Sequence, residues 1–193
     1  KVGFENWSEL FRHCLEAAQA AETIAIALKM LTSIIQFTPD EVIQENAEYI
    51  VAASNAGTHS DSWEQRANGF ALFSTIAVQT KNPELDIAGF ISPIFEYPHD
   101  AAVFNSELTG RYLQIIWHSI DEIVVCQLMP KEVYEQLLPL IFEIANDEEV
   151  NVDIRLEVLH TVIGILTELN EEQHTALFNI IFELGKRQVS ESS

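Results

Sequence analysis

Basic residues are scarce in this chain: ten lysines and arginines stand against thirty aspartates and glutamates, a formal charge of −20. Such an anionic surface repels phosphate backbones and lipid headgroups and attracts basic partners, so neither nucleic acid nor a membrane is an expected ligand. Long hydrophobic runs are missing too. Lys29, Glu122 and Arg155 interrupt the most apolar segments, short of the roughly 18–20 uninterrupted residues a membrane span needs. Cysteine occurs only as Cys14 and Cys126, each inside an apolar helical pattern and without a partner at short spacing. Both are expected as reduced core thiols of a cytoplasmic or nuclear protein. The seven glycines stand singly and form neither a phosphate-cradling loop nor a dinucleotide fingerprint. There is no His-Glu-x-x-His zinc pattern, no paired cysteine spacing and no Gly-x-Ser-x-Gly elbow. These absences lead us to expect no cofactor, no metal, no small-molecule substrate and no catalysis.

What the chain does have is apolar content, 48% of its 193 residues, enough to bury a sizeable core. The apolar residues recur at helical spacing, as in Leu156, Leu159, Val162, Ile163, Leu166 and Leu169, and strand-like alternation is absent. The expected class is all-α. Helix starts are marked by capping side chains and first-turn prolines at Thr38-Pro39-Asp40, Asn82-Pro83-Glu84 and Met129-Pro130-Lys131, and by Asn170-Glu171-Glu172. Those starts, at 39, 83, 130 and 171, lie 44, 47 and 41 residues apart, the period of two-helix repeats. The pattern predicts helices over 6–19, 21–37, 39–54, 61–80, 83–96, 107–128, 131–146, 150–169 and 171–187, with loops at 55–60 and from Tyr97 to Ser106.

One stretch carries a family pattern. The segment Leu137-Leu138-Pro139 through Asp147-Glu148-Glu149, followed by Val152-Asp153-Ile154-Arg155-Leu156, resembles a HEAT repeat, with a longer gap between Asp147 and Arg155 than the family usually has. The resemblance implies an α-solenoid of antiparallel helical hairpins, HEAT or armadillo type, with about four and a half repeats. Residues 1–188 would form that single body and 189–193 a frayed tail. Pro139 would bend the first helix, Asp147 would cap its turn, and Arg155 would reach an acid such as Asp147 or Glu149. Opening on Lys1, without an initiator Met or a signal-peptide pattern, the chain reads as a piece of a longer array. A second stretch, Asn6-Trp7-Ser8-Glu9-Leu10-Phe11, resembles the Trp-Pro-Glu-Leu helix start of karyopherin-β nuclear transport receptors, with Ser8 in place of the proline. Trp7 is equally readable as a core anchor between repeats.

The second helix of each hairpin carries a polar stripe: Glu22, Lys29, Ser33 and Gln36; Glu64, Asn68, Thr75 and Gln79; Glu107, Arg111, Gln114, His118, Asp121 and Glu122; Asp153, Glu157, His160 and Glu168. In HEAT solenoids these helices line the concave face, so Glu107, Gln114, His118, Asp121, Glu122, Asp153, Glu157 and His160 are the expected partner-binding residues. A solvated face accounts for the same stripes. His118 beside Asp121 and Glu122 is the only arrangement hinting at acid–base chemistry, and a surface ion pair explains it as well. The expected function is a non-catalytic protein-binding module, within a transport receptor that holds a basic cargo or a small-GTPase regulator. The alternative is a structural scaffold in a phosphatase, kinase-regulator or chaperone assembly.

Overall fold

The computed structural model of the protein describes residues 4–82 and 84–191, with side chains for 9–82 and 84–186. Among the described residues the chain is helical and contains no strand. The α-helices are α1 (Phe4–Ala17), α2 (Ile24–Ile35), α3 (Asp40–Glu45), α4 (Ala47–Thr58), α5 (Trp63–Thr80), α6 (Ile87–Ile91), α7 (Ala101–Phe104), α8 (Glu107–Val125), α9 (Lys131–Asn146), α10 (Val152–Ile163) and α11 (Glu171–Glu191). Two 3₁₀ turns, Ser92–Glu96 and Leu166–Glu168, complete the described elements. No described helix is long and apolar enough to cross a membrane.

Three of the expected starts are found, two marked by proline without a side-chain cap and one by a capping asparagine. At the first, the Thr38 hydroxyl donates to the Ile34 carbonyl instead. Pro39 and Pro130 sit at the N-caps of α3 and α9. Asn170 Oδ1 accepts from the Gln173 N–H while Gln173 Oε1 accepts from the Asn170 N–H, a reciprocal capping box for α11. Pro83 lies outside the described residues.

Five expected helices need correction. The helix expected over 39–54 breaks at Asn46, whose side-chain amide donates to the Val42 carbonyl at 2.8 Å, and α4 then runs through the expected loop to Thr58. The one expected over 83–96 forms only as α6 and a 3₁₀ turn, because Asp86 caps a new start at Ile87 and Pro93 stops the α-helix. Helix α8 ends at Val125, not 128. Gln127 takes a left-handed φ of 59°, with hydrogen bonds from Gln127 N to the Val124 carbonyl and from Leu128 N to the Ile123 carbonyl. That is a Schellman closure built on a residue other than glycine. Helix α10 stops at Ile163, while α11 continues to Glu191 through residues expected to fray.

Helix α1 packs on α2, α4 on α5 and α9 on α10, while α2, α5, α8 and α10 each pack on the next in that order. The hydrogen bonds that tie this row together are Asn68 to the Ala25 carbonyl, Ser74 to Glu122 and His160 to Asp121, between residues 43, 48 and 39 apart. Contacts between α8 and α10 advance in the same sense, 118 to 157 and 121 to 160, so the two helices run parallel. Helix α5 is apolar on both sides. Leu72 and Ile76 belong to the cluster with α1–α4, and Phe70 and Phe73 to the larger cluster that reaches α11. Cys14 is buried, which raises its thiol pKa, and Cys126 is partly buried; both are free.

The HEAT-like residues fall within one hairpin. Pro139 lies inside α9 on its exposed side. Arg155 is buried, and its Nε donates at 2.8 Å to the Ala145 carbonyl near the C-terminal end of α9, where orphan carbonyls need donors. Asp147 Oδ1 accepts from the Glu149 N–H, closing the turn between α9 and α10. The side chain of Trp7 lies outside the described residues.

One loop residue makes the fold sensitive to acid. His99 Nε2 donates to the Ile94 carbonyl at 2.8 Å, its ring stacks on Phe104, and its Nδ1 is buried without a hydrogen bond. Burial lowers its pKa below 6.5, outweighing the backbone hydrogen bond and Glu143, which act in the opposite direction. The unfolded chain therefore takes up this proton at a higher pH than the folded chain does. The contribution to stability is complete above about pH 6.5 and is lost as the pH falls below it. Urea titrations at several pH values should show the wild type losing more stability below that point than His99→Gln, by at most about 1.4 kcal/mol per pH unit. Equal losses in the two proteins would refute this assignment.

Candidate binding face on the second helices

The polar stripes meet at the parallel seam between α8 and α10. His118 lies between two acids, with Nε2 3.9 Å from Glu122 on its own helix and Nδ1 3.7 Å from Glu157 on α10. Glu122 also reaches α5, accepting from the Ser74 hydroxyl at 2.9 Å. His160 Nδ1 stands 3.0 Å from Asp121 Oδ2. These contacts join α5, α8 and α10 edge to edge.

Asp121 is not the solvated acid expected from the stripe. It is only 6% exposed, because position 121 points into the seam, where α8 and α10 approach closely enough that a Cβ on Gly164 would come within 2.6 Å of Val124. Its Oδ1 is buried without a hydrogen bond, as is Trp117 Nε1 one turn earlier. The expected stripe on α5 is largely internal as well. Asn68, Thr75 and Gln79 are half-buried and bond to the Ala25 carbonyl, the Ala71 carbonyl and Asp40.

Of the expected binding residues, Glu107, His118, Asp153 and His160 are exposed, and Gln114, Glu122 and Glu157 are half-buried. Beside them lie apolar side chains not expected at the surface: Leu108 and Ile115 on α8, and Leu156 and Ile163 on α10. Leu156, Ile163 and Leu166 belong to the apolar pattern that marks the helical period, and they are 40%, 56% and 36% exposed. Farther along the row, α2 exposes Ile26 and Met30 beside Lys29 and Ser33, and Phe37 is exposed in the turn just beyond its end. The result is an acidic rim interleaved with apolar side chains, which suits a ligand with both basic and apolar groups. Among the described residues, no group of three or more His, Cys, Asp and Glu side chains is placed to hold a metal ion.

No protein-family model matches the chain, and no curated protein or solved structure is significantly similar to it.

Proposed function

We propose that the chain is a non-catalytic, helical-repeat protein-binding module whose row of second helices holds a basic, amphipathic segment of a partner protein. In this reading the hairpins form a HEAT-type solenoid with α2, α5, α8 and α10 along its inner face. What supports the architecture is the order in which those four helices touch and the separations of 43, 48 and 39 residues between bonded partners. The Trp7-Ser8-Glu9-Leu10 start extends the reading to a transport receptor, with a basic cargo or a small-GTPase regulator as the partner class.

The observation that carries the binding reading is the α8–α10 surface, where Glu107, Glu122, Asp153 and Glu157 stand beside exposed Ile115, Leu156 and Ile163. Exposed ion pairs contribute only about 0.2–1 kcal/mol each, so charge alone would bind weakly. Apolar contact adds about 25 cal/mol per Å² removed from water, and the acids then select basic partners and speed their encounter.

A peptide pair tests the proposal: an amphipathic helix of lysine and leucine, and the same helix with glutamate for lysine, titrated by fluorescence anisotropy at low and high salt. The lysine peptide should bind, and bind less tightly as salt rises. Glu107→Lys combined with Asp153→Lys should weaken it roughly tenfold at low salt. These two positions are chosen because Glu122 and Glu157 also hold the seam. Equal binding of the two peptides would rule out the acidic face as the selector and favour a scaffold with mainly apolar contacts.

A further inference from the structure

Helix α11 is apolar on two adjoining faces, one buried and one exposed. Its buried residues Leu177, Ile180 and Leu184 belong to the core, and among the described helices α11 packs chiefly on α9. At 3.6 residues per turn, Phe178, Ile181 and Phe182 fall on a face about 120° round the helix from those core residues, where they are 68%, 51% and 52% exposed. The rings of Phe178 and Phe182 stack at 6.2 Å, and Lys186 Nζ lies 4.2 Å from the Phe182 ring. Gly185, also on this side, has nothing within 4 Å of the position a Cβ would take. A shallow cleft of about 450 Å³ opens between His174, Thr175, Leu177, Phe178 and Ile181. A helix with two apolar faces is ordinarily covered on both.

We infer that this face pairs with the same face of a second copy, α11 against α11, antiparallel about a two-fold axis. Charge placement selects both the occupant and its direction. Glu171 and Glu172 stand at the N-terminal end of α11 and Lys186, paired with Glu183 at 2.7 Å on its own helix, toward its C-terminal end, so an antiparallel copy brings Glu171 within reach of the same Lys186, whereas a parallel copy sets the two acidic ends together. When Glu171 of one copy lies across from Lys186 of the other, Phe182 lies across from Thr175. Each Phe182 then enters the cleft beside Thr175 on its neighbour, and the two Phe178 side chains meet near the axis. A two-fold contact of this kind is self-complementary and closes at a dimer. It is small compared with stable homodimer interfaces, so association belongs in the micromolar range or weaker. With −20 on each chain, long-range repulsion opposes pairing, and salt that screens it should promote association, opposite to its effect on a basic ligand. This inference stands independently of the proposed function.

Sedimentation equilibrium across the micromolar range tests it on the full chain. The wild type should rise from the mass of one chain toward two, and further as salt is added. Phe178→Glu should stay at one chain, with circular dichroism confirming an intact fold, while Ile26→Glu, at an equally exposed site elsewhere, should behave as wild type. Glu171→Lys and Lys186→Glu should each weaken association, and the double variant should restore it. A wild type of single-chain mass throughout would overturn the proposal. So would association unchanged by Phe178→Glu, or a double variant no stronger than the single ones.

Discussion

Replacing Gly69 with alanine should destabilise the protein by about 1–3 kcal/mol, the cost of overfilling a packed core. At an open helical site the same change stabilises by about 1 kcal/mol, because alanine is the better helix former. The sign reverses here because α4 and α5 cross backbone to backbone. A Cβ on Gly69 would stand 2.7 Å from the Ser54 carbonyl oxygen and 2.8 Å from the Thr58 nitrogen, and one on Gly57 would stand 2.9 Å from the Gln65 carbonyl oxygen. Backbone atoms cannot turn aside as a flexible side chain can, so the helices must separate, and they carry Phe70, Phe73 and Ile50 of the two core clusters with them. Gly185→Ala is the control, since nothing lies within 4 Å of its Cβ position. In dilute protein it should be neutral or stabilising. Urea denaturation of the two variants decides the matter, and a Gly69→Ala protein as stable as wild type would contradict the close crossing.

Phe90→Ala should cost more, about 3–5 kcal/mol. The helix that carries Phe90 is α6, of five residues, far too short to persist by its own hydrogen bonds. What holds it is an aromatic cluster. Phe90 stacks on Phe73 at 3.6 Å and meets Phe70 edge to face at 4.8 Å, and Phe70 in turn meets Tyr97, whose hydroxyl donates to the Thr58 carbonyl. Arg66 lies over the rings of both Trp63 and Tyr97, at 4.6 and 4.4 Å. Removing the Phe90 ring leaves a cavity at the centre of this group and frees the chain between α5 and α8. Phe90→Leu should recover part of the loss, and hydrogen exchange should show residues 87–104 opening first in the alanine variant. A loss below about 1 kcal/mol would mean that the aromatic cluster does not hold this limb.

Local chemistry made some of this fold legible and concealed the rest. The starts of α3, α9 and α11 were readable because prolines and a capping asparagine act on the residues next to them. The start at 83 misled because Asp86 offers a second cap three residues beyond Pro83, and Pro93 then limits how far any α-helix can run. The continuation of α4 through Gly57 could not be read locally, since that glycine is explained by Gly69 on another helix. Along the α8–α10 seam, helical period placed Glu107, Glu122, Asp153 and Glu157 on stripes that are at least partly exposed. Period alone does not say which edge of a stripe meets a neighbour, so it does not reveal that Asp121 is buried or that Leu156 and Ile163 are exposed.

The most direct test of the binding proposal is methyl NMR of the protein during titration with the lysine–leucine peptide. If the acidic α8–α10 surface is the binding face, the methyl signals of Ile115, Leu156 and Ile163, which lie among its acids, should shift progressively and saturate. Ile181, exposed on α11, should stay in place. Shifts confined to Ile181, or spread evenly over exposed methyl groups, would contradict a partner site on the second helices.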